Sequence, residues 1–152
     1  MRAAALGFAR KVRLTAARLS PFGVDETCGL IKRPFPGLFG NLTLLGILGV
    51  LGDVGRLAAA VGIDIKDAFS LFEHLNPGQT LPQRAKRISA GQYTLPSFEM
   101  SMARKHLRLM VEEAARGGQT LAMVPALAKL LDEGIARGEG GLDVAAGVRV
   151  PG

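Results

Sequence analysis

The chain has 152 residues, enough for one domain or for one domain with a tail. Apolar residues make up 48% and charged residues 21%, which excludes wholesale disorder and leaves a chain able to build a core. Basic side chains number 19 against 13 acids, a formal charge of +6, and the single cysteine excludes an intrachain disulfide or a Cys-based zinc cluster.

The charge is concentrated at one end. Residues 1–33 carry seven basic and two acidic side chains, net +5, while the other 119 residues carry 12 and 11. The bulk of the chain is nearly neutral and gives no case for a nucleic-acid partner. The first twenty residues, MRAAALGFARKVRLTAARLS, are rich in Ala and Arg and contain no acid. That composition fits an organelle transit peptide or a basic amphipathic helix, but Arg10 and Lys11 interrupt the apolar run a secretory signal needs. The plainer reading is a poorly packed leader on a cytoplasmic protein, with organelle targeting as the alternative. Pro21, Pro34 and Pro36 with Gly23, Gly29 and Gly37 break any period, so residues 1–37 read as a basic, irregular leader and linker.

From Leu38 the text changes. LFGNLTLLGILGVLGDVGRLAAAVG predicts a helix over residues 39–61, stopped by Gly62. Its uninterrupted apolar part is shorter than the roughly 20 residues that cross a bilayer, and Asn41, Asp53 and Arg56 bracket it, so a buried, near-central helix is expected and no membrane role. Gly46, Gly49, Gly52 and Gly55 recur every third residue. Each costs roughly 1 kcal/mol of helix propensity against Ala, which predicts close approach of neighbouring backbones as compensation. A spacing of three rather than four argues against a membrane small-xxx-small motif.

Asp64 then reads as the N-cap of a short helix with Phe69, Phe72 and Leu75 on its apolar side, ended by Asn76-Pro77-Gly78. A short helix over residues 82–90 carries Arg84, Lys86 and Arg87, read as a solvated face. SFEMSMARKHLRLMVEEAAR predicts a helix over residues 97–116. Met100, Ala103, Leu107, Met110 and Ala114 share one face, and Ser101, Arg104, Lys105, Arg108 and Glu112 the opposite one. His106 lies at the edge of the apolar stripe with no acid placed beside it, a boundary histidine. Gly117-Gly118 stops this helix. A last helix over residues 122–137 tolerates Pro125 in its first turn and ends at Gly138. Residues 139–152 read as a loop or short terminal turn. The fold class is all-α, roughly five helices around a long Gly-rich helix.

Much chemistry is missing from the text. It contains no G-x-S-x-G elbow, no P-loop, no H-E-x-x-H and no G-x-G-x-x-G dinucleotide fingerprint. His74, His106 and Cys28 are too scattered to be a metal set, and Cys28 has no evident activating base.

Residues 38–138 resemble a known family. LFGNLTLLGILGVLGDVGRLAAAVGID has the layout of the long interdomain helix and following cap of the β-hydroxyacid dehydrogenases, the group of 3-hydroxyisobutyrate dehydrogenase and tartronate semialdehyde reductase. PSFEMSMARKHLRLMVEEA resembles that family's Phe-to-Lys-Asp-Leu region, and LAMVPALAKLLDEGIARGEG its final helix. The resemblance implies the C-terminal helical domain of 6-phosphogluconate and 3-hydroxyisobutyrate dehydrogenases. It implies an NAD- or NADP-dependent oxidoreductase passing hydride to or from a small β-hydroxyacid, with a separate Rossmann domain gripping the dinucleotide. It also implies a homodimer or a Rossmann-domain partner, and no nucleic acid or membrane. In the family a lysine at the start of the long helix is general acid/base and an asparagine four residues on holds substrate. Here Asn41 falls on the asparagine position, a substrate-binding residue. Gly37 falls on the lysine position, so no catalytic residue is assigned, and Lys32 and Arg33 lie in a Pro-broken segment without the one-turn geometry. Lys105 matches the lysine near the cofactor, a cofactor-binding residue, and His106 replaces the aspartate after it. The expectation is an isolated, truncated helical domain, inactive alone. The alternative is a non-enzymatic helical dimerisation module, suggested by the Gly-rich helix and the Met/Leu stripe.

Overall fold

The computed structural model describes residues 36–149. They form five α-helices: α1 Pro36–Ala60, α2 Ile65–Ser70, α3 Leu81–Ser89, α4 Met100–Arg116 and α5 Val124–Ala136. Short 3-10 turns cover Leu71–Glu73, Pro77–Thr80 and Val144–Val148. The one β feature among the described residues is an isolated antiparallel bridge between Glu99 and Asp143. The all-α class expected from the periodicities is therefore found. The expectations placed on residues 1–35 and 150–152 lie outside the described residues.

The chain divides into two compact units, one ending at Leu48 and the other beginning at Gly49, and α1 contributes to both. In the first unit the described residues are the opening half of α1, and its apolar side chains are exposed, Phe39 by 62% and Leu42 by 71%. The buried helix expected there is not found. Within α1 only Asp53 and Ala58 are buried. The backbone approach expected at its glycines is absent too: Gly46 has open space, while Gly49 meets the Met123 side chain and Gly55 that of Ile65. An apolar run reads the same whether its own domain or another surface covers it.

The second unit carries the core. α4 packs on α5, and both pack on the terminal 3-10 turn. Met100, Ala103 and Leu107 of α4 meet Ala128 and Leu131 of α5, Ala145 and Ala146 of the turn, and Tyr93. The stripe read along α4 is confirmed at Met100, Ala103, Leu107 and Ala114, while Met110 stays exposed. Small residues dominate, so backbones come close. A Cβ on Gly134 would strike Met100, and one on Gly147 would strike Leu131.

The last residues of this core were read as loop or short turn, and they are a structural keystone. Asp143 is fully buried. It caps the 3-10 turn by accepting from the Ala145 N–H at 3.0 Å. Its other oxygen accepts from the Ser97 N–H at 2.8 Å, the Ser97 hydroxyl at 2.9 Å and the Arg87 guanidinium. This network explains why α4 begins at Met100 and not at residue 97: Ser97 is held by Asp143, and the Phe98 carbonyl accepts from Val144 N–H. It also corrects the reading of Arg87, which is no solvated cation. It spans α3 to Asp143 and donates to the Leu95 carbonyl as well.

Helix ends follow local chemistry. The Asp64 carboxylate caps α2 by accepting from the Lys66 N–H at 2.8 Å. α4 ends at Gly117, whose α-carbon faces the backbone of Ala60 so closely that a Cβ would collide with it, and Gly118 follows with φ +70°. By contrast α2, α3 and the 3-10 turns between them bury no side chain.

Two outcomes follow from these joints. Gly117→Ala drives a methyl into backbone that cannot rotate away, and should destabilise by about 2–3 kcal/mol. Gly118→Ala has space but keeps a left-handed backbone, and should cost about 1–2 kcal/mol. Urea unfolding of the two variants checks the order; equal midpoints would refute the close approach. Burial alone pushes the Asp143 carboxyl up, but the Ala145 and Ser97 N–H groups, the Ser97 hydroxyl and Arg87 overcome it and hold the carboxyl at about 2, against 3.8 unperturbed. A depressed folded value means the stabilisation is complete above 3.8 and disappears as pH falls toward 2. Roughly 2 kcal/mol should vanish across that window in the parent chain. In Asp143→Asn that component should be missing from unfolding midpoints measured from pH 5 to 2.

Candidate functional site

α1 places the two positions that carry the substrate end of the resemblance. Gly37 lies in its first turn and Asn41 one turn later on the same side. Asn41 is exposed. It does not cap the helix, because the helix already begins at Pro36, and no side-chain hydrogen bond is formed by it among the described residues. The nearby Thr43 hydroxyl is consumed locally, donating to the Phe39 carbonyl at 3.0 Å. Around Gly37 there is open space. The one-turn spacing of positions 37 and 41 is thus present, but position 37 carries no side chain. From Gly37 to Gly52 the helix has no titratable group.

Lys105 lies in the second unit, on α4, and is exposed. Its flanking cations are both committed. Arg104 makes a two-point pair with Asp132, at 2.7 and 3.0 Å, and that hydrogen bond raises its pKa above the usual value. Arg108 bonds Glu112 at 2.8 Å, one turn along. Lys105 makes no ion pair among the described residues. Beside it, His106 is exposed and lies tilted against Phe98, with ring centroids 5.7 Å apart. The site residues therefore fall in two places, Asn41 in one unit and Lys105 in the other.

A groove of about 450 Å³ lies between α4 and α5, with Leu107, Val111, Pro125 and Ala128 below and Arg104, Arg108 and Lys129 among its charged residues. A smaller polar hollow of about 150 Å³ joins Thr80, Gln83 and Arg84 to the Arg87, Ser97 and Asp143 network. Lys105 lines neither. Among the described residues no three His, Cys, Asp or Glu side chains gather as a metal set. His74 stands exposed at the end of a 3-10 turn.

Sequence reasoning used Asp53 only as a charge bracketing an apolar run. In the structure it is 4% exposed and holds the start of α5. Its carboxylate accepts from the N–H groups of Ala122 at 2.7 Å, Met123 at 2.7 Å and Val124 at 3.1 Å, and from Arg56 at 3.1 Å. Burial raises its pKa, but those donors outweigh burial and the net shift is downward. This N-cap comes from about seventy residues away, which is why α5 starts at Val124 without a capping side chain of its own. A lone acid inside an apolar helix was the signal that could have revealed it.

The fold has known counterparts. A reductive aminase from Aspergillus terreus, solved in complex with NADPH and ethyl levulinate, matches with a TM-score of 0.66 at 18% identity, over 73% of this chain and 40% of that chain. The same enzyme in complex with NADPH4, cyclohexanone and allyl amine matches with the same TM-score, identity and coverage. An imine reductase from Pseudomonas sp. matches with a TM-score of 0.66 at 18% identity, over 73% of this chain and 39% of that one. The chain thus spans well under half the length of these enzymes. No family model and no curated protein matches the sequence. At this identity the likeness shows the fold. The all-α arrangement read from the periodicities is thus shared with part of these enzymes.

Asp53→Ala leaves three N–H groups at the head of α5 without their acceptor and should destabilise by about 2–3 kcal/mol. Asp53→Asn keeps an accepting oxygen and should cost less. Urea midpoints at pH 7 check this, and a loss under about 0.5 kcal/mol for the alanine variant would show that water replaces the carboxylate.

Proposed function

We propose that this chain supplies the helical half of an NAD- or NADP-dependent oxidoreductase of the β-hydroxyacid dehydrogenase type, and that it is inactive without a dinucleotide-binding half. The observation that supports it most is the shared helical fold with NADPH-complexed reductases of which it spans only part. On this reading the Asn41 amide holds the polar end of a small substrate such as a β-hydroxyacid. Lys105, which forms no ion pair among the described residues while two neighbouring arginines do, contacts the cofactor. The nicotinamide supplies or accepts hydride when bound.

The described residues fit a contact to such a cofactor and do not fit a grip on it. They offer one free ammonium on α4 and no Gly-rich turn leading from a strand into a helix. The proton is a separate matter. With Gly37 in the lysine position, this stretch of α1 holds substrate without exchanging a proton with it.

The exposed side of α1 supports a partner, either a second copy or a chain bearing the Rossmann half. Leu38, Phe39, Leu42, Leu44, Leu45, Ile47, Leu48 and Val50 all stand open, and clustered exposed apolar side chains of this kind mark interaction surfaces. Gly37–Ala60 is also long and apolar enough to cross a membrane by composition. The anchoring of Asp53 to α5 argues for a protein partner. Residues 37–52, ahead of that anchor, make about 24 Å of helix against the roughly 30 Å of a hydrocarbon core, and Gly49 among them already meets Met123. The same surface favours a second reading, a helical dimerisation module with no chemistry. A cytoplasmic location, with organelle targeting by residues 1–20 as the alternative, belongs to the same proposal.

Calorimetric titration of the chain with NAD and then NADP should give no heat at millimolar cofactor. Heat of binding would overturn the need for a second half. In sedimentation velocity the chain should run as a dimer, and Leu42→Lys with Leu45→Lys, one turn apart on α1, should run as a monomer of unchanged helicity by circular dichroism. A well-folded parent monomer would rule out self-association and leave a separate dinucleotide-binding chain as the partner.

A further inference from the structure

We draw no further inference here: the strongest candidate, the exposed apolar surface of Ile63, Ile65, Leu71, Leu75 and Leu81 flanking α2, carries none because nothing in the structure shows what covers it.

Discussion

A carboxylate removed from water is costly unless donors replace the water, and the second unit is assembled around two that are fully answered. Asp143 collects two backbone N–H groups, a hydroxyl and a guanidinium. Asp53 collects three N–H groups and a guanidinium. In both, the donors outweigh burial, since each carboxyl sits below its ordinary value. Each also joins segments far apart in sequence: α3, the approach to α4 and the terminal turn at Asp143, and α1 with the head of α5 at Asp53. The core between these joints is made largely of Ala, with Met100 and Leu131 as the large, fully buried side chains. Small side chains give close contact but weak directional preference, so the polar joints fix which surfaces meet.

The consequence is uneven. From Asp53 onward α1 is tied to the core, and before it the helix presents bare apolar surface. Fully burying a large apolar side chain gains about 1.5–3 kcal/mol, and the eight between Leu38 and Val50 stay 45–71% exposed and forgo much of it. That forgone stabilisation is comparable with the whole stability of a small domain, about 5–15 kcal/mol. The glycines divide earlier along the helix, between Gly46 and Gly49. Gly49 and Gly55 receive neighbouring side chains, while Gly46 and Gly37 face open space.

Periodicity made α4 legible almost residue by residue, because a half-buried helix writes its burial into steps of three and four. The Asp64 cap and the Gly118 and Gly138 stops were equally local. What escaped was non-local. Arg87 looked like a member of a cationic cluster, and its partner lies 56 residues away. Ala145 and Ala146, in a tail without periodicity, are core because the Asp143 cap folds them inward. Burial of α1 could not be read at all, since composition records affinity for apolar surroundings and not who provides them. The site positions Asn41 and Lys105 came from a family resemblance. The structure added what spacing could not, that Arg104 and Arg108 are spent in ion pairs while Lys105 forms none among the described residues.

On the proposed reading, the character of α1 limits what it can contribute to hydride-transfer chemistry. Hydride transfer to a carbonyl or imine needs a hydride donor, a hold on the substrate and control of one proton. An amide at Asn41 can orient a substrate through a donor and an acceptor, but its protonation does not change near neutral pH. No residue between Gly37 and Gly52 can titrate, so this part of the helix can only be a fixed wall. On the proposed reading, therefore, whatever this stretch of α1 contributes through its own side chains does not change with pH.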